Sequence, residues 1–285
     1  MKRVLVTLGD PAGIGPEVVH AALASFSPPP GIRIATLGDP AAGTPGRPDA
    51  RSARAALDAL EAAAAEARAG RAAAIATAPV SKHALQQLGF PFPGQTEFFA
   101  HRLGAAGFAM CLAGARLTVV PVTIHLALRD VPAALTAGGI VRCGRLLAGF
   151  LRRRGLARPR IAVAGLNPHA GEHGAFGDEE ERVIAPAVAS LQAALPDASV
   201  TGPHVPDVVF REAAAGAFDG VLAMYHDQGL IPFKLLEFAT GVNTTLGLPV
   251  PRTSPDHGTA FTLAGTGAAD PASMRRAIEL ACELA

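Results

Sequence analysis

The chain has 285 residues, 49% hydrophobic and 17% charged, with a net charge of +1. That balance excludes a disordered chain and gives a globular one, with enough residues for a large single core or for two domains. There is no basic excess, no basic amphipathic stretch and no apolar run of membrane-spanning length, so neither nucleic acid nor a membrane is an expected partner.

The N-terminus starts like a secretory leader, but Asp10 and Pro11 interrupt it before an apolar region forms. Residues 4–8 therefore read as a first strand, ended by Gly9 and Asp10. A helix is expected from Pro16, since proline suits the first helical position. Residues 32–37 form a second strand, 40–50 a Pro- and Gly-rich loop, and 51–69 a helix stopped by Gly70. Residues 73–77 are a strand running into Ala78-Pro-Val-Ser-Lys82, and 96–103 a helix with Glu97 in its first turn. The β-branched run 117–124 is a buried strand. Residues 132–154 are a helix with a break near Gly138-Gly139, 160–165 a strand and 178–195 a helix. Strands at 220–224 and 243–248 and a helix at 272–284 complete the series. Strands alternating with helices predict mostly parallel α/β sheet. The cysteines Cys111, Cys143 and Cys282 are scattered and lack zinc-type spacing, which fits a reducing cytosol and a cytoplasmic location.

The most informative stretch is 224–234, where His226, Asp227, Gln228 and Lys234 follow the apolar run 221–224. Polar groups at a strand end are what a small-molecule site needs. His125 and His169 sit at similar punctuation points. In a parallel sheet such ends collect along one edge, and three neutral imidazoles suit a zinc-like divalent ion holding a substrate oxygen. A lone histidine is more often a hydrogen-bonded structural residue, and His20, His83, His101, His173 and His204 have no comparable setting. His257, beside Asp256, is a site-wall residue rather than a ligand.

Three further segments each admit two readings. Residues 7–17 resemble a dinucleotide fingerprint, but Gly13 and Gly15 lack the third glycine. The loop either offers backbone N–H groups to an anion or is a tight strand-to-helix turn. Lys82 and nearby hydroxyls either hold a phosphate or carboxylate or belong to a solvated loop. Arg252, at the end of a strand–proline segment, is either a bidentate phosphate grip or a surface arginine.

Taken in order, Gly9-Asp-Pro-Ala-Gly-Ile-Gly-Pro-Glu17, Asn167-Pro-His-Ala-Gly-Glu172, Tyr225-His-Asp-Gln-Gly229 and Arg252-Thr-Ser-Pro-Asp-His-Gly258 resemble the PdxA family. These are the 4-hydroxythreonine-4-phosphate dehydrogenases of vitamin B6 synthesis. The resemblance implies a fold like that of isocitrate and isopropylmalate dehydrogenases: two α/β/α subdomains with mostly parallel sheets and an active site in the cleft between them. One subdomain would comprise residues 1–116 and 259–285. The other, 117–258, would hold the metal and substrate residues and the dimer interface. It also implies NAD or NADP, bound without the usual glycine fingerprint. One divalent ion per active site (Zn, Co or Mg) would rest on His125, His169 and His226, contributed across a homodimer interface. Substrate contacts fall on Gln95, Thr96, Lys234, Asn243 and Arg252. Asp227 and Asp256 are candidates for supporting the histidines or handling protons.

The implied reaction oxidises a small phosphorylated substrate, 4-phosphooxy-L-threonine, to a β-keto acid that decarboxylates to 3-amino-2-oxopropyl phosphate. One position departs from the family: Gly94-Gln-Thr-Glu97 stands where Gly-His-Thr-Glu is usual. Glutamine hydrogen-bonds there but carries no positive charge. A related dehydrogenase of a sugar-acid phosphate or a cis-dihydrodiol carboxylate is the nearer alternative. A phosphate acyltransferase on a related fold needs neither metal nor NAD, and a zinc hydrolase needs no nicotinamide.

Overall fold

A computed structural model describes all residues from Met1 to Ala285. The elements begin with β1 (Lys2–Thr7), α1 (Gly15–Ala24), β2 (Ile32–Leu37), α2 (Ala50–Arg68), β3 (Ala74–Thr77), α3 (Lys82–Gln87) and α4 (Gln95–Arg102). They continue with β4 (Ala109–Ala113), β5 (Thr118–Thr123), α5 (Val131–Ala134), α6 (Ala137–Arg153), β6 (Arg160–Ala164), α7 (Ala185–Ala194), β7 (Ser199–His204) and α8 (Pro206–Ala214). The last are β8 (Gly220–Tyr225), α9 (His226–Glu237), β9 (Val242–Leu246), β10 (Arg252–Pro255) and α10 (Ala272–Leu284). The chain divides into two compact units, Met1–Ala106 with Val242–Ala285, and Gly107–Gly241. No single helix is long and apolar enough to cross a membrane.

In the unit formed by the two chain ends, the strand order is β2-β1-β3-β10-β9. The first four run parallel and β9 runs antiparallel to β10. Val4, Val6, Ala74 and Ala76 pack against Val18 of α1 and Met274 and Ile278 of α10. An Asp49–Ser52 capping box starts α2, whose alanines then propagate it. The segment 7–17 is the tight turn. A Cβ on Gly15 would meet the Leu8 carbonyl at 2.2 Å, and one on Gly13 the Thr259 carbonyl at 2.8 Å. Within it Gly13 N donates to Asp10 O, Ile14 N to Thr259 O, and Ala12 N to the Asp10 carboxylate.

In the middle unit the order is β4-β5-β8-β6-β7, parallel except for β4. Leu112, Val119, Ala162 and Val221 pack with Val209 of α8 and Phe233 of α9. The expected break near Gly138-Gly139 lies instead at Leu135-Thr136, where the Thr136 hydroxyl accepts from Gly139 N and starts α6.

The subdomain boundaries expected near 116 and 258 need correction. β4 pairs with β5, so it belongs to the middle unit. β10 pairs with β3, and Thr253 Oγ1 donates to Ala277 O of α10, so β9 and β10 belong with the chain ends. Asn243 and Arg252 therefore lie in a different unit from the three histidines.

Candidate active site

In the middle unit β5 and β8 are parallel neighbours, with Thr123 opposite Tyr225. Their C-terminal ends deliver His125 and His226 to one edge. The two imidazole rings stand 5.8 Å apart, centre to centre, and both line a cavity of about 380 Å³ with Thr123, Tyr225 and Asp227. The four residues His226 to Gly229 each have a local contact. Gln228 is buried; its Oε1 accepts from Met224 N at 2.6 Å and its Nε2 donates to Gly165 O at 2.7 Å, tying the ends of β8 and β6 together. A Cβ on Gly229 would meet Val119 Cγ1 at 2.5 Å, so glycine lets α9 lie close on β5. His226 Nδ1 faces Asp227 Oδ1 at 2.7 Å. A carboxylate only accepts, so Nδ1 carries a hydrogen, and in the neutral imidazole the lone pair lies on Nε2. His125 adopts φ +55°, a left-handed conformation that is uncommon outside glycine.

His169 follows β6, the strand on the other side of β8. It begins a run of positive φ through His173. Buried Glu180 pins this loop by accepting from Leu166 N at 2.7 Å, Asn167 N at 2.8 Å and Asn167 Nδ2 at 2.9 Å. His169 Nδ1 faces Glu172 at 3.1 Å, and the side chain is exposed. The structure thus brings together two of the three expected imidazoles. No group of three or more His, Cys, Asp or Glu side chains in the single chain is placed to hold a metal ion. Two imidazoles, one of them backed by a carboxylate, fit a zinc- or cobalt-type ion better than magnesium, and the set lacks a third ligand. Lys234 is exposed, further along α9 from His226.

The other expected residues gather in the unit of the chain ends. β3 and β10 run parallel, so the loops after them leave from one edge. Between those loops lies a cavity of about 170 Å³ lined by Thr77, Lys82, Gln95, Arg252 and His257. Arg252 is only 3% exposed, which removes the surface-arginine reading. Its Nε and Nη2 donate to Thr77 Oγ1 at 3.0 and 2.6 Å, Nη2 also to Gln95 Oε1 at 3.0 Å, and Nη1 to Thr245 Oγ1 at 3.4 Å. All these partners are neutral. Burial pushes the guanidinium pKa down to about 10, opposed by the charge of Glu97, so it stays a cation at neutral pH. A buried cation hydrogen-bonded only to neutral oxygens is costly unless an anion joins it. The Thr96 hydroxyl stands 3.4 Å from that of Thr245.

Asn243 Oδ1, on β9, is buried without a hydrogen-bond partner. Asp256 is half-buried just after β10. His257 Nδ1 faces Gly258 O at 3.1 Å while its Nε2 is buried without a partner, as suits a site wall. In 78–82, Ser81 spends its hydroxyl capping α3 through Ala84 N, leaving Lys82 as the charged wall. Thr77 and Thr245, the hydroxyls that meet Arg252, are the residues of this cluster that the sequence did not single out. For Thr77 the one signal was a threonine closing an otherwise apolar strand; Thr245, inside the polar strand β9, gave none.

Imidazoles at one sheet edge and a buried guanidinium at another define an enzyme of small anionic molecules on an α/β scaffold. A family model described as "Pyridoxal phosphate biosynthetic protein PdxA" matches residues 18–281. A 4-hydroxythreonine-4-phosphate dehydrogenase of Desulfosudis oleivorans is 45% identical over 98% of this chain and 95% of its own. One from Erythrobacter litoralis is 46% identical over 100% and 97%. The crystal structure of a 4-hydroxythreonine-4-phosphate dehydrogenase from Klebsiella pneumoniae superposes with a TM-score of 0.87 at 42% identity, covering 99% of this chain and 98% of that one. The chain belongs to the PdxA family, a family of oxidoreductases.

A terephthalate 1,2-cis-dihydrodiol dehydrogenase from Burkholderia xenovorans is more distant, with TM-score 0.73 and 30% identity over 99% of this chain and 98% of that one. A branched-chain phosphotransacylase from Enterococcus faecalis (TM-score 0.60, 14% identity) and a beta-decarboxylating dehydrogenase from Thermococcus kodakarensis (0.57, 15%) share the fold alone.

Proposed function

We propose that this chain oxidises 4-phosphooxy-L-threonine at its C3 hydroxyl, with NAD or NADP as oxidant, in vitamin B6 synthesis. The resulting β-keto acid loses CO₂, the electrons of the broken C–C bond flowing into the ketone, and leaves 3-amino-2-oxopropyl phosphate. The observation that carries this reading is Arg252, a buried cation hydrogen-bonded only to neutral oxygens. It asks for an anionic substrate, and the relatives' names supply one.

Arg252 and Lys234 take the substrate's anionic groups. Thr96 and Gln95 orient it, and the unpartnered Asn243 Oδ1 accepts from its ammonium or hydroxyl. His125 and His226, with His169 from a second copy of the chain, would hold one divalent ion. When bound, the metal supplies a Lewis acid that lowers the hydroxyl pKa and the nicotinamide supplies the hydride acceptor. Asp227 fixes the tautomer of His226 so that Nε2 is free to ligate, and Asp256 handles a proton beside the substrate.

A homodimer fits the same reading. Ile231, Leu235 and Phe238 are 68, 84 and 83% exposed along α9 and its end. Their spacing puts them on one helix face, and an apolar stripe of that kind marks an interface. A second copy covering it also accounts for a metal site that one chain leaves short of a ligand. Leu235→Asp is expected to yield monomers in sedimentation, with weakened metal binding.

The deciding assay follows nicotinamide absorbance with purified protein, NAD or NADP, and several divalent metals. 4-Phosphooxy-threonine is compared with erythronate and threonate phosphates and with a cis-dihydrodiol carboxylate. Gln95 and the likeness to a dihydrodiol dehydrogenase keep the second substrate class in the panel. Turnover confined to a substrate other than 4-phosphooxy-threonine would sink the first reading.

A further inference from the structure

We propose that Thr77 and Gln95 are positioning residues that decide which nitrogen of Arg252 meets a ligand. Together they consume the Nε–Nη2 edge and leave Nη1 as the anion-binding nitrogen. A guanidinium carries five N–H groups, one on Nε and two on each Nη. Thr77 Oγ1 accepts from Nε at 3.0 Å and from Nη2 at 2.6 Å, and Gln95 Oε1 accepts from Nη2 at 3.0 Å. That spends all three N–H groups of the edge. Nη1 keeps only a 3.4 Å contact with the Thr245 hydroxyl.

Both acceptors are locked in orientation. The Thr77 hydroxyl donates its own hydrogen to Thr253 O at 3.4 Å, which turns its lone pairs toward the guanidinium. Gln95 Nε2 donates to Ala78 O at 3.3 Å, which fixes the amide with its oxygen toward Arg252.

Two consequences follow for the ligand. Either bidentate grip of a guanidinium on a planar carboxylate needs an N–H of Nη2, and both are occupied. Arg252, which lines a cavity together with Lys82, therefore has only Nη1 left to donate to an anion. That geometry serves one oxygen of a tetrahedral anion such as phosphate, rather than a forked carboxylate. Secondly, neither clamp residue ionises. The charged and titratable groups around them are Lys82 and His257 in the cavity wall and Glu97, whose charge acts on Arg252. The clamp holds Arg252 in one plane whatever the pH, and a titratable side chain at position 95 would couple it to protons.

The inference rests on the reading that Arg252 meets the substrate anion, and inorganic phosphate is the probe that separates the two. The variants are Thr77→Val, Thr77→Ser and Gln95→His in the full chain. Calorimetry measures the Kd for inorganic phosphate, and steady-state kinetics measure KM and kcat with 4-phosphooxy-threonine and NAD. Thr77→Val should raise the phosphate Kd and KM about ten-fold, the scale of one hydrogen bond to a charged group, with kcat far less affected. Thr77→Ser should restore both to within about two-fold, since it returns the hydroxyl. For Gln95→His, the ratio of variant to parent KM, which cancels the substrate's own titration, should rise as pH falls through about 6.5, because an imidazolium cannot accept from Arg252. Parent-like phosphate binding by folded Thr77→Val, failure of serine to rescue, or a KM ratio flat with pH would each overturn the clamp. A parent that binds phosphate through the clamp yet does not turn over 4-phosphooxy-threonine would uphold it and sink the proposed function instead.

Discussion

The two units hold their functional groups in opposite ways. Around Arg252 the charge is buried, and each of its hydrogen bonds comes from the same unit, through Thr77, Gln95 and Thr245. Around the imidazoles the arrangement is open. His125 and His226 converge at a sheet edge, while His169 stands exposed on a loop that Glu180 pins. The first arrangement is complete before any ligand arrives, because neutral dipoles set in advance cost no reorganisation when the anion binds. The second brings two imidazoles together and leaves the third apart, so the metal site proposed there depends on something added. Substitutions in the two units should therefore fail differently.

The largest expected effect is at the open edge. His226→Ala removes one of the two converging imidazoles. Metal affinity should fall by more than the about 10–100-fold that loss of an outer partner costs, and turnover should fall with it. Thermal stability should barely change, because the side chain is 36% exposed. Retained metal after dialysis, with parental kcat, would remove His226 from the site. Arg252→Ala comes next, with kcat/KM down about 10²–10³-fold, the range for truncating a buried hydrogen-bonded charge. Its effect should appear in inorganic phosphate binding as well, which His226→Ala leaves intact. The parent's pH profile offers an independent check. Burial stabilises the neutral guanidinium and lowers its pKa to about 10. Anion affinity that depends on the cation is therefore constant below that value and lost as pH rises through it.

The same contrast explains what the sequence disclosed. End-of-strand histidines were legible because the C-terminal edge of a parallel sheet collects whatever follows each strand, and apolar runs such as 117–124 mark the strands. What was hidden came from distant pairing. β10 reads Arg-Thr-Ser-Pro, with no apolar pattern, and is a strand only because β3 and β9 flank it. The burial of Arg252 depends on hydroxyls contributed from Thr77 and Thr245, which no local window connects. Helix α9 was masked by Gly229 and Pro232, although the glycine is there for close packing on β5. The unit boundary was misplaced for the same reason, since the membership of β9 and β10 is set by their partners in the sheet.

Smaller effects test the supports of each region. Asp227→Asn keeps the shape but offers an amide to His226 Nδ1, so the tautomer is no longer dictated. A fall of about 10–100-fold in metal affinity is expected, with phosphate binding in the other unit unchanged. If both stay at the parental level, Asp227 has no supporting role.

The smallest effect on the chemistry, yet the clearest on the fold, should come from Glu180→Ala. The buried carboxylate accepts from Leu166 N, Asn167 N and the Asn167 side chain. Removing it leaves the half-buried Leu166 and Asn167 N–H groups without their acceptor, a loss of about 1 kcal/mol measurable by urea unfolding. The loop that carries His169 then loses its anchor, while His125 and His226, held by β5, β8 and Gln228, keep theirs. Metal affinity should weaken modestly, because two ligands remain placed and only the third must be reordered. An unchanged unfolding free energy would mean that the positive-φ run from His169 to His173 holds itself, and that the open edge is less dependent on its loop than the carboxylate's bonds imply.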